Sequence, residues 1–246
     1  MEYKVKSLAK ALEVLECFTV KSPENGISEI ARQCGLPKSS VHNILSTFQQ
    51  MGYVNQNEET SRYSLSLKML QFSRVVVAHI GLEEALMPYM RRIAAELKEI
   101  VYLGIPRGTE VVYISSFADG VHAESRSILG EQAPLYCTGI GKAMLAYLPN
   151  PSAHLPETLA PFTAETITDA GALSMELERV RRQGYAVDNM EHEFGIKCLA
   201  VPVFGSKGEV ECGVSISGPS LRFGDDRLES MARTMHDILA PIQRKL

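Results

Sequence analysis

Along the first third of the chain, apolar residues return every three or four positions, which is the spacing of one helix face. Leu8, Leu12, Leu15 and Phe18 form one such stripe and predict a helix from Ser7 that has ended by Pro23 and Gly26. A short helix is expected over Ser28 to Cys34, with Ser28 as N-cap and with Ile30 and Ala31 facing inward. Gly35 then turns the chain. Between Pro37, suited to a first helical turn, and Gly52, suited to a stop, Val41, Ile44, Leu45, Phe48 and Met51 make an apolar face. Ser39, His42, Asn43 and Ser46 occupy the opposite face. Two short helices joined by a tight Gly-containing turn read as a helix-turn-helix. Behind them, Arg62-Tyr63-Ser64-Leu65 alternates like a strand after the polar turn Asn57 to Ser61, which predicts a small β-hairpin, or wing.

Residues 67 to 98 return to a helical pattern, with a break at Gly81 and a kink expected at Pro88. The first piece, over residues 67 to 81, carries Val75, Val76 and Val77 and is apolar on several sides, as a linker and subunit contact would be. Beyond it, strands are expected at Val101 to Ile105, Val111 to Ser115, Leu199 to Phe204 and Cys212 to Ser217. Helices are expected over Gly139 to Tyr147, over Ala170 to Gln183, and from Asp225 onward. Turns at Arg107-Gly108-Thr109 and Ser206-Lys207-Gly208 favour hairpins, hence an α+β fold with a mainly antiparallel sheet flanked by helices. The expected division is residues 1 to 66, a linker helix over 67 to 81, and a second domain over 82 to 246.

Length and composition fit this division. A chain of 246 residues is long for a single core, and 45% hydrophobic with 22% charged residues is ordinary for a folded protein. No run reaches the roughly 18 apolar residues of a membrane span, and the start has no signal-like apolar core, so a cytoplasmic protein is expected. The cysteines at 17, 34, 137, 198 and 212 are widely spaced, contain no C-x-x-C pair and fit a reducing compartment. Charge changes the picture more. The net charge is -4, yet residues 1 to 66 hold seven basic and seven acidic side chains, so the acidic excess falls in the remainder.

A DNA contact in such a neutral segment must come from a few placed groups and from two copies per site. Ser39, Ser40, His42 and Asn43 are short donors and acceptors able to reach base edges, with Asn suited to adenine. Lys38 at the helix start and Arg62 in the wing are better placed for phosphate.

Several segments, in order, resemble the IclR family of bacterial transcriptional regulators. They are SLAKALEVLECF, ISEIARQCGLPKSSVHNIL, MGYV and RYSLSLKML, then PLYCTGIGKAMLA, TITD, GYAVDNMEHEFGIKCLAVPVF and VSISGP. The resemblance implies a winged helix-turn-helix on double-stranded operator DNA, a linker helix and a GAF-like effector domain, assembled as a homodimer or homotetramer. It implies control of metabolic genes by a small organic or sugar acid. Asp188, Cys198, Ser215 and Ser217 match positions at which family members line the effector cavity. Gly139, Ile140 and Gly141 open a helix whose free N–H groups favour an anion. Leu129, Leu135 and Tyr136 are candidates for an apolar wall. The family signature commonly closes with Asp or Asn where this chain has Gly205, a change expected to alter a turn and leave the pocket intact.

Two other chemistries compete. Glu191-His192-Glu193 with Cys198 offers metal-ligand types, although no second cluster completes a site. Cys198 with His192 could be a nucleophile and base, although no oxyanion element or third group accompanies them. The expectation is therefore a regulator that is not an enzyme and needs no metal or cofactor. His79, His122, His154 and His236 sit alone and are expected at the surface or at caps.

Overall fold

The computed structural model describes residues 3–120 and 129–246, and for residues 77–80 the backbone alone. His122 and the side chain of His79 lie outside the described residues. The chain divides into two compact units, Met1–His79 and Ile80–Leu246.

In the first unit, helices α1 (Lys6–Glu16), α2 (Ile27–Cys34) and α3 (Lys38–Gln50) are followed by strands β2 (Val54–Gln56) and β3 (Tyr63–Leu65). A two-residue strand β1 (Glu24–Asn25), not anticipated from the sequence, pairs antiparallel with β3, giving a three-stranded sheet ordered β1-β3-β2. Its core is Val14, Phe18, Ile30, Val41, Leu45, Val54 and Tyr63. The stripe expected on α1 is only half used: Leu8 is 58% and Leu12 is 50% exposed, while Val14 is fully buried. Met51, expected on the apolar face of α3, is also outside the core.

The N-cap of α2 is Gly26 rather than Ser28, because the Glu29 carboxylate accepts the Gly26 N–H at 2.8 Å and so closes the helix start two residues earlier. Pro37 stands at the N-cap position of α3, with Lys38 the first helical residue. Helix α4 (Met69–Ile80) begins against this unit: the Phe72 and Tyr53 rings are 5.9 Å apart, and Lys68 Nζ lies 4.4 Å from the Tyr53 ring centre.

The second unit contains α5 (Leu82–Leu97), β4 (Ile100–Arg107), β5 (Glu110–Phe117), β6 (Gln132–Pro134), α6 (Gly139–Leu145), α7 (Ala170–Gln183), β7 (Ala186–Asn189), β8 (Ile196–Phe204), β9 (Val210–Pro219) and α8 (Asp225–Leu239). Helix α5 runs continuously through Pro88. Six strands form one sheet in the order β6-β5-β4-β9-β8-β7, antiparallel at every pairing. Strands β6 and β7 were not anticipated from the sequence.

Alternation along the strands divides the sheet between two cores. Val101, Leu103, Leu199, Val201, Val214 and Ile216 pack with α5 and α8. The other face receives α6 and α7, with Ile140, Met144, Leu173, Leu177 and Val180. Gly205 lies in the β8–β9 turn, where its N–H donates to Glu209 O at 2.9 Å and a Cβ would meet Glu211 Oε1 at 2.5 Å. A Cβ there would require the flexible Glu211 side chain to shift, and Gly205 is not among the residues lining the cavity described below.

Candidate functional site

Helix α3 presents two unlike faces. Val41 and Leu45 are fully buried, whereas Lys38, Ser39, His42 and Asn43 are exposed and Ser40 and Ser46 half-buried. No side chain caps its start. The first N–H groups of α3 therefore stand beside the Lys38 ammonium, where a phosphate oxygen could take them.

Arg62 is placed otherwise than the sequence implied. Its Nη2 donates to Glu29 Oε2 and to Glu24 O, both at 2.8 Å, and its Nη1 donates to Glu29 Oε1 at 3.3 Å. The N–H of Gly26 and the Arg62 guanidinium hold the Glu29 carboxyl below its ordinary range. Arg62 thus braces the wing against the start of α2, since a bidentate pair fixes both partners. Within the wing turn, Asn57 Oδ1 accepts the N–H groups of Glu59 at 2.9 Å and Thr60 at 3.0 Å.

The second candidate is a cavity of about 140 Å³ between α6 and the sheet. The strand register builds one wall. Asp188 of β7 stands opposite Cys198 of β8, and Cys198 opposite Ser217 of β9. Two residues back, Ser215 faces Tyr102 of β4. Residues two apart share a face, so this row points at α6. Gly139 and Ile140 supply the helix side, and Tyr113 and Ala133 extend the rim. Gly139, Ile140, Asp188, Cys198, Ser215 and Ser217 thus line one cavity, and Gly141 of the expected helix start does not. A Cβ on Gly139 would sit 3.3 Å from Asp188 N and from Cys198 Cβ, so this glycine lets α6 approach the sheet closely.

The apolar wall is not the one expected. Leu129 is 52% exposed, Leu135 is in the α6 core, and Tyr136 donates its hydroxyl to Ala160 O at 2.6 Å. Tyr102 and Tyr113, whose rings are 5.9 Å apart, provide the aromatic wall instead. The helix-start reading also changes. Thr138 caps α6 and its Oγ1 accepts the Gly141 N–H at 3.1 Å, so that N–H is taken by the cap and not offered to a ligand.

Asp188 carries the electrostatics. It is 4% exposed, and its Oδ1 accepts N–H groups from Glu191 at 2.7 Å and His192 at 3.4 Å. Burial pushes its pKa up to about 7, against the lowering effect of the Glu191 N–H. Glu131 and Glu193 add carboxylates, and none of the described lining residues is Lys or Arg.

The four candidate metal ligands are dispersed in use. Glu191 is buried in an ion pair with Lys142, His192 stacks on Phe162 at 5.2 Å, and Cys198 donates its thiol to Ser217 Oγ at 3.0 Å. Among the described residues, no three His, Cys, Asp or Glu side chains are placed to hold a metal ion. Burial also pushes the Cys198 thiol well above its ordinary pKa, which is contrary to what a nucleophile needs. The isolated histidines serve the backbone: His154 Nδ1 lies 3.0 Å from Gly108 O, and His236 Nε2 lies 3.1 Å from Gly184 O at the end of α7. No helix among the described residues is long and apolar enough to cross a membrane.

Comparison with known proteins matches both units to one family. Residues 7–58 match the IclR helix-turn-helix domain, and residues 74–244 match the bacterial transcriptional regulator IclR C-terminal domain. The chain is 33% identical over 245 residues to the HTH-type transcriptional regulator KdgR of Escherichia coli, covering 98% of this chain and 93% of that protein. It is 31% identical to the regulator XynR of the same organism, covering 98% and 97%. The crystal structure of Thermotoga maritima IclR superposes with a TM-score of 0.77 at 32% identity, covering 98% of each chain. The chain belongs to the IclR family of bacterial transcriptional regulators, whose members control metabolic genes in response to small molecules.

Proposed function

We propose that residues 1 to 66 bind double-stranded operator DNA as a symmetric pair and that residues 82 to 246 bind a small hydroxylated organic or sugar acid in the α6 cavity. The row Asp188, Cys198, Ser217, with Ser215 beside it, carries this reading, because it lines one small cavity with hydrogen-bonding groups from three adjacent strands. A volume of about 140 Å³ is that of roughly five waters at about 30 Å³ each. The ligand is accordingly small. With no cation among the described lining residues, its carboxylate is met by the N–H groups of Gly139 and Ile140 and by Tyr and Ser hydroxyls. Its hydroxyls donate to Asp188.

On DNA, Ser39, Ser40, His42 and Asn43 read bases while Lys38 and the start of α3 take phosphate. Arg62 is assigned to bracing the wing. Exposed Leu8 and Leu12 on α1 and Val75 and Val76 on α4 are the apolar residues available for pairing with a second copy. Residues 67 to 81 then transmit occupancy by setting the spacing of the two recognition helices, which must match half-sites one helical turn, or a multiple, apart.

The test is a thermal-shift screen of the whole protein against short hydroxy acids and sugar acids, since a ligand at 100 times its Kd adds about 2.7 kcal/mol. Asp188→Ala and Ser217→Ala should lose the shift and still bind DNA upstream of the protein's own gene. A hit that stabilises both variants as well as the wild type would place its site elsewhere.

A further inference from the structure

Cys17 stands at the C-cap of α1 and Cys34 is the last residue of α2, and their sulfurs are 3.2 Å apart. Both thiols lie over one backbone carbonyl, with Cys17 Sγ at 3.4 Å and Cys34 Sγ at 3.7 Å from Glu13 O. An S–S bond is about 2.05 Å long, so the sulfurs at 3.2 Å need to close by only about 1.2 Å. The two differ in access. Cys17 is 3% exposed, whereas Cys34 is half-buried and forms part of the wall of a surface hollow of about 500 Å³ that also carries Lys6 and Lys10.

The other three cysteines offer no such pairing. Cys137 and Cys212 are fully buried, and Cys198 is bonded to Ser217 in the cavity.

We propose that Cys17 and Cys34 form an oxidisable dithiol in the DNA-binding unit, which a peroxide converts to an intradomain disulfide. Cys34, reached from the hollow, attacks one peroxide oxygen. The O–O bond breaks, the sulfur becomes a sulfenic acid, and the other oxygen leaves as water. Cys17 then attacks the Cys34 sulfur, the S–S bond forms, and the S–O bond breaks as the hydroxyl leaves with the Cys17 proton as a second water. Two thiols and one hydrogen peroxide thus give one disulfide and two waters. Cys17, buried behind Cys34 and 3.2 Å from its sulfur, is the resolving partner. The bond joins the end of α1 to the residue before Gly35, where the chain turns toward α3.

The test exposes the full chain to hydrogen peroxide with a metal chelator present, then alkylates remaining thiols under denaturing conditions and measures intact and peptide masses. The expected product is lighter by two hydrogens before alkylation, takes three alkyl groups instead of five, and yields a linked peptide pair containing Cys17 and Cys34. Dithiothreitol restores all five thiols. Cys34→Ser should give no linked pair and keep four alkylatable thiols. Five alkylated cysteines in treated wild type, a crosslink at other positions, or sulfinic acid at Cys34 without a crosslink would each overturn the proposal.

Discussion

Asp188→Asn isolates the cost of burying an ionisable group in the cavity. The amide keeps an oxygen to accept the N–H groups of Glu191 and His192, so the loop geometry is retained while the charge is removed. The wild-type carboxyl loses its proton near 3.8 in the unfolded chain and near 7 in the fold. Between those values the folded state holds the extra proton, so stability falls as pH rises. Below 3.8 the neutral group carries no penalty, and above 7 the penalty is complete. At 1.36 kcal/mol per decade, the distance from 3.8 to about 7 corresponds to up to about 4 kcal/mol. Urea unfolding followed by far-ultraviolet circular dichroism at pH 5, 6, 7 and 8 provides the measurement. The two proteins should be nearly equal only at pH 3.8 and below. The variant should already be ahead by about 1.6 kcal/mol at pH 5, gain about 1.4 kcal/mol per pH unit up to neutrality, and lead by about 4 kcal/mol at pH 8. Parallel stability curves for wild type and variant would refute the reasoning, because they would mean that Asp188 is ionised throughout.

Asn43→Ala should weaken operator binding by about 1 to 3 kcal/mol and relax preference at one base pair while sparing non-specific binding; a competition assay with point-mutated operators measures this. Lys38→Ala removes one phosphate contact from each copy of the pair, so it should weaken binding to all sequences alike and reduce the slope of log affinity against log salt by about 2, as a fluorescence titration at four salt concentrations would register. Thr138→Ala leaves the Gly141 N–H without its cap and should cost about 1 kcal/mol, visible as a lower unfolding midpoint with operator affinity unchanged.

The sequence made α3 legible because its two periodicities agree: buried Val41 and Leu45 alternate with exposed Ser39, His42 and Asn43 at helical spacing. The same logic failed on α1, where Leu8 and Leu12 have the right spacing yet lie outside the core of their own unit. Periodicity records that a face is apolar and carries no record of which chain covers it. Strands β1, β6 and β7, each four residues or fewer, escaped notice because they lack the alternating run behind a polar turn that disclosed the equally short β3, and each exists by virtue of its partner strand. The cavity was half legible. Asp188, Cys198, Ser215 and Ser217 came with the family resemblance, and the two-residue spacing of the serines placed them on one face. Tyr102 and Tyr113 could not be found, because nothing local distinguishes the cavity-facing side of β4 or β5 from its reverse. The ion pair of Arg62 was not legible for a related reason: its partner Glu29 is 33 positions away, and only the folded wing brings them together.

The alternation along β8 and β9 has an evolutionary consequence. Cys198, Ser215 and Ser217 face the cavity, while their immediate neighbours Leu199, Val214 and Ile216 face the core under α5 and α8. Codons that decide what the cavity accepts are thus interleaved with codons that decide whether the domain folds, yet they act on opposite surfaces of the sheet. Selection can exchange a serine for a threonine or an alanine on one surface while the packing of the other goes untouched. A descendant of this chain can therefore reshape the cavity by single substitutions without first accumulating stabilising changes to tolerate them.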